Sequence, residues 1–167
     1  MSKKAYLIIG NTGAGKSTYA KKLAVEKKAH IFNVDQWMKT LFLMDMPDPP
    51  QYQWALERTQ RIERQMLLDG VQLLSNQINI ILDIGFFARE QRDRVKSVLT
   101  KAGFTYECHY LDISKETRWQ RVQQRNTEKT DTFQFEVSQE IFEFCETIFE
   151  VMDEDELADH TIHITEN

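Results

Sequence analysis

The residues 10–18 read Gly10-Asn11-Thr12-Gly13-Ala14-Gly15-Lys16-Ser17-Thr18, and the first eight fit the spacing G-x-x-x-x-G-K-[ST]. Glycines at these intervals let a chain wrap with its amide N–H groups pointing inward, and a helix starting where the wrap ends adds a dipole that favours anions. The Lys16 amine is placed to reach β and γ phosphates. The Ser17 hydroxyl suits magnesium, which takes few protein oxygens and completes its shell with phosphates and water. The expected ligand of this nine-residue cradle is therefore Mg-ATP or Mg-GTP.

Two carboxylates follow apolar runs in the manner of strand ends. Asp83 closes Ile80-Ile81-Leu82-Asp83 and is a candidate for the metal or its water shell; the alternative is an acid that caps the following turn. Asp35 closes 30–34 and is a candidate to orient or deprotonate an acceptor hydroxyl, or else the N-cap of the next helix. Arg118, Arg121 and Arg125 share one helical face, which leads into the polar stretch 126–132. A cationic flap there, about 118–132, would neutralise charge and exclude water, with Arg121 and Arg125 the stronger candidates; the alternative, favoured for Arg118, is a solvated face. Arg89 and Arg92, just past Asp83, are candidates to hold an anionic group on the acceptor.

These residues need a scaffold, and the apolar pattern supplies one. Short apolar runs at 5–9, 30–34, 78–83, 105–111 and 161–164 read as strands. Helical spacing covers 16–28, 36–44, 52–76, 89–101 and 114–125. The stretch 133–152 is aromatic-rich, and its stripe Val137, Ile141, Phe144, Ile148, Met152 reads as core packing. Strands alternating with helices predict an α/β fold, a parallel sheet covered on both faces. The region 36–76, with Trp37, Phe42, Tyr52 and Trp54, is the expected acceptor side, though packing explains those aromatics nearly as well.

The 167 residues predict one domain, 1–167, able to bury a core without disulfides or metal. Lys and Arg number 21 against 26 Asp and Glu, a net charge of −5 that disfavours a nucleic-acid partner. No apolar run is long enough for a membrane span, and Cys108 and Cys145 lack paired spacing, so a cytoplasmic location and two core thiols are expected. His160 and His163 fall on opposite strand faces, which argues against joint metal ligation. The acidic run 153–156 reads as a solvated helix start. A guanine-reading Asn-Lys-x-Asp is absent; Glu128-Lys129-Thr130-Asp131 is the nearest match.

The glycine loop, Asn33-Val34-Asp35, the segment from Leu82 to Phe86 with Arg89 and Arg92, and Arg118-Trp119-Gln120-Arg121-Val122 with Arg125-Asn126 together resemble the P-loop kinase-like family of predicted kinases and AAA-type ATP-binding proteins. That family is related to zeta toxins, gluconate kinases and chloramphenicol phosphotransferase-like kinases. The resemblance implies a P-loop NTPase three-layer sandwich with five parallel strands in the order 2-3-1-4-5. It also implies that Arg121 flanks adenine, Arg125 reaches the phosphates and Asp35 faces the acceptor. The activity implied is transfer of the γ-phosphoryl group of Mg-ATP to a small-molecule hydroxyl or phosphate; a partner-directed ATPase or switch, or a nucleotide-sugar kinase, is the alternative.

Overall fold

A computed structural model describes residues 3–129 and 135–166. Five strands, β1 (Lys4–Ile9), β2 (Ala29–Asn33), β3 (Asn79–Asp83), β4 (Thr105–Asp112) and β5 (Thr161–Thr165), form one all-parallel sheet in the order β2-β3-β1-β4-β5. Between them run α1 (Lys16–Lys27), α2 (Val34–Phe42), α3 (Tyr52–Ser75), α4 (Arg89–Lys101), α5 (Lys115–Glu128), α6 (Gln139–Ile148) and α7 (Glu154–Ala158). This is the strand order and covering expected of a P-loop NTPase fold.

β1 is central, so both of its faces must be apolar. Ala5, Leu7 and Ile9 join Ile80, Leu82 and residues of α3 and α4 in one buried cluster; Tyr6 and Ile8 join Ile81 with Ala20 and Leu23 of α1 in another. The period-2 alternation of the strand thereby binds helices to both sides. Gly70 lies inside α3, where a Cβ would sit 2.8 Å from Ile80 Cδ1, so its absence lets α3 pack close on β3.

All strands being parallel, their C-terminal ends converge on one rim, which brings the glycine loop after β1 beside Asn33 of β2 and Asp83 of β3. Strand β2 ends one residue earlier than the apolar run predicts. Asn33 accepts a hydrogen bond from the Gln36 amide and is the N-cap of α2, so Asp35 is a first-turn residue and not the cap.

The aromatic stretch departs further from expectation. Phe142 and Val137 are the buried members, packed with Val122. Ile141 and Phe144 are 47% and 42% exposed, so the stripe with helical period is not the core face. Met152 is buried in the main core, but beyond the end of α6. Phe133 and the end of the polar stretch, 130–132, lie outside the described residues.

Candidate active site

The glycine loop opens α1 without a side-chain cap: Gly15, at φ +90°, carries no group to satisfy the first helical amides, and the first turn holds no acid. Those amides are therefore available to an anion. Gly13, at φ +81°, is fixed by space as well, since a Cβ would meet the Arg118 carbonyl oxygen at 2.5 Å. Asn11 ties the loop from inside. Its Oδ1 accepts from the Thr12 amide at 2.7 Å and its Nδ2 donates to Glu146 Oε1 at 2.6 Å.

Lys16 folds back so that Nζ donates to the Asn11 carbonyl at 3.2 Å. Burial lowers its pKa, opposed by the carboxylates of Asp83 and Asp35. The Ser17 hydroxyl donates to Asp83 Oδ2 at 2.8 Å, and Asn33 Nδ2 donates to the same oxygen at 2.6 Å. Asp83 is 4% exposed, so it is held by these two groups and does not cap the next turn. Among the described residues there is no cluster of three His, Cys, Asp or Glu able to hold a metal by itself. Ser17 and Asp83 nevertheless form an adjacent pair of oxygen donors, the sparse set that fits a magnesium ion sharing its shell with phosphates and water.

Asp35 opens onto the cleft above this pair. Desolvation there, together with the Asp83 carboxylate, raises its pKa, against the opposing pull of Lys16 and Arg125. From the other side α5 overhangs the loop: Arg121 Nη1 donates to the Ala14 carbonyl at 3.1 Å. Arg125 is partly buried with an unpartnered Nε, and desolvation lowers its pKa while Asp35 raises it. Lys16, Ser17, Asp35, Asp83, Arg121 and Arg125 line one cleft of ≈ 1410 Å³. Single-ligand pockets run to about 300–1,000 Å³, so a nucleotide leaves room for a second molecule. The same cleft is also lined by Val34 and Met38 of α2, Trp54, Thr59 and Glu63 of α3, Phe87, and Gln91 and Arg94 of α4.

A family model described as an AAA domain matches residues 6–145. The chain belongs to that family. No curated protein matches it. Among solved structures, a sugar kinase from Janibacter superposes with a TM-score of 0.66 at 14% identity, over 98% of this chain and 85% of that one. A gluconokinase from Sinorhizobium meliloti gives 0.62 at 12% identity, over 98% and 83%. Kti12 from Chaetomium thermophilum, solved with ADP-AlF3, gives 0.71 at 10% identity, over 97% and 88%. At these identities the likeness is one of fold, that of a P-loop kinase-like domain. No helix among the described residues is long and apolar enough to cross a membrane.

Within this AAA domain, three arginines do not sit where their spacing predicts. Arg92 is fully buried; Nε and Nη2 each donate to Glu156 at 2.7 Å, and Nη1 donates to the carbonyls of Phe86 and Glu150 at 3.1 and 3.0 Å. It braces the loop after Asp83 and has no face toward the cleft. Arg89 is outside the cleft lining too, paired with Asp153 and with Asp93. Arg118 is neither solvated nor a flap residue: it donates to Glu146, to the Thr12 carbonyl and to the Ile113 carbonyl, fastening the root of α5 to the loop. The acidic run is likewise not wholly solvated. Asp153 caps α7, whereas Glu156 is 3% exposed against Arg92.

Other residues acquire a place that the sequence reading did not assign. Asn33, Glu146, Glu63, Gln91 and Arg94 all hold or line the cleft. Only Asn33 carried a local signal, as an Asn three residues ahead of the helix predicted over 36–44. Cys145 is not a core thiol; it faces the cleft beside the loop, and burial raises its pKa. Trp54 and Tyr52 line the cleft, while Trp37 and Phe42 pack against the core.

Proposed function

We propose that this AAA domain is an ATP-dependent phosphotransferase that moves the γ-phosphoryl group of Mg-ATP to a small-molecule acceptor. The observation that carries the reading is the convergence of Lys16, the Ser17–Asp83 pair, Asp35 and Arg125 on a cleft large enough for donor and acceptor together. Loop residues Gly10 to Thr18 and the open amides of α1 cradle the phosphates. Ser17 and Asp83 would hold magnesium, which when bound would supply positive charge against the phosphates. Lys16 and Arg125 supply positive charge at the transferring group, and Arg121 closes the nucleotide side. Asp35 takes the acceptor's proton; its raised pKa brings it nearer the range in which a carboxylate acts as a base.

Incubation with labelled ATP and a metabolite mixture tests this. The wild type is expected to place label in a new compound. Lys16→Ala is expected to lose about 10²–10³-fold in rate, as for loss of one charge-stabilising donor. Asp35→Ala is expected to lose about 10²–10⁴-fold, as for loss of a general base. Phosphate released only to water, at a rate unchanged in Asp35→Ala, refutes the kinase reading in favour of an ATPase.

A further inference from the structure

Of the three tryptophans, Trp37 and Trp119 pack against buried clusters and have the rings of Phe32 and Phe142 beside them. Trp54 belongs to none of these clusters. It stands half-buried in the first turn of α3, lines the cleft, and has a guanidinium beside it instead of a ring. Arg58, one turn on, donates from Nη1 to the Trp54 carbonyl at 3.0 Å and sets its Cζ 4.0 Å from the centroid of the Trp54 ring. The same guanidinium lies 5.8 Å from the ring of Phe42, the last residue of α2.

Arg58 is not part of the cleft lining, so the ring face that it covers is turned away and the rest of the indole meets the cleft. A ring backed by a cation and fixed before a ligand arrives loses little freedom when one binds. Its neighbours in the lining are apolar as well: Leu43, Met46 and Tyr52 are exposed there, and Met38 joins them from α2. Exposed apolar side chains gathered along one cleft mark a binding surface, and methionine adapts to the shape of what it meets. Through Arg58 and Phe42, Trp54 is tied to α2, the helix whose first turn carries Asp35. The glycine loop, Arg121 and Arg125, which the phosphotransfer reading gives to the nucleotide, come from other elements.

We propose that Trp54 is a specificity-determining residue for the acceptor and stacks on an aromatic ring of the molecule whose hydroxyl receives the phosphoryl group. This deepens the phosphotransfer reading and rests on it. A nucleobase and an aryl group present the same flat π face.

The test uses the full chain and labelled Mg-ATP on two matched pairs: a nucleoside against the methyl riboside, and a phenyl glycoside against the methyl glycoside. In at least one pair the ring-bearing member is expected to exceed its partner about tenfold or more in kcat/KM, chiefly through KM, and the pair that responds separates a nucleobase from an aryl group. Trp54→Leu is expected to shrink that ratio about tenfold, whereas Trp54→Phe, which keeps a ring, is expected to retain most of it. Without ATP, the ring-bearing compound is expected to quench tryptophan emission in the wild type but not in Trp54→Phe, where Trp37 and Trp119 remain packed against the core. Equal kcat/KM within both pairs, an unchanged ratio in folded Trp54→Leu, or quenching that persists in Trp54→Phe overturns the proposal and leaves the phosphotransfer reading standing. Label in no acceptor, with Mg-ATP still bound, overturns the phosphotransfer reading and this inference with it.

Discussion

Replacing Arg92 with Met separates a structural brace from an acceptor-binding residue. The side chain is fully buried and makes two 2.7 Å bonds to Glu156 together with bonds to the Phe86 and Glu150 carbonyls. Methionine fills much of the volume but leaves the Glu156 carboxylate buried and unpaired. Breaking a buried pair in this way costs about 3–5 kcal/mol. For a chain of this size that corresponds to a fall in Tm of about 6–20 °C, measured by circular dichroism. Glu156→Leu alone is expected to cost a similar amount. Arg92→Met combined with Glu156→Leu leaves no buried charge and is expected to recover most of the loss, short of about 1–3 kcal/mol for the orphaned carbonyls. Well below its melting temperature, Arg92→Met is expected to keep the wild-type KM for acceptor. A variant that melts within about 2 °C of the wild type, yet loses acceptor affinity, refutes this reasoning and restores Arg92 to the site.

Three further outcomes follow from groups already described. Asp35→Asn is expected to raise Tm at pH 7 while abolishing transfer: the folded protein holds the Asp35 pKa up, so its ionisation opposes folding as pH rises from about 4 through that raised value. A neutral-pH melt that is lower than the wild type contradicts this. His109 is 2% exposed, accepts or donates at Tyr19 and Glu107, and burial lowers its pKa, so the unfolded chain binds its proton first as pH falls below about 6.5. Stability should fall from pH 7 to 5, and less steeply in His109→Gln; identical slopes exclude His109 as the source. Gly13→Ala sets a Cβ against the Arg118 carbonyl at a left-handed φ and is expected to cost about 1–3 kcal/mol, read as a lower midpoint in urea.

How far the sequence reaches can be seen residue by residue. The glycine loop, Asp83 and Asp35 are legible because each is a local pattern, a fixed spacing or an acid closing an apolar run, and a parallel sheet gathers all strand ends on one rim. The arginines are not legible, because their roles depend on partners distant in the chain. Arg92 finds Glu156 at a separation of 64 residues and Arg118 finds Glu146 at 28, and nothing in the spacing on their own helices distinguishes them from Arg94 or Arg121. The aromatic stripe of α6 fails for a related reason. Helical period identifies a face but not what that face meets, and here Phe142 turns to the core while Ile141 turns to the cleft.

One carboxylate, Glu146, fastens both Asn11 and Arg118, the former from 135 residues away. The motif is thus pinned by a peg that is synthesised 135 residues after Asn11. A nascent or C-terminally clipped chain can contain the whole motif and still lack the clasp that gives it shape. Competence for the nucleotide is then acquired only once the chain as far as Glu146 is available.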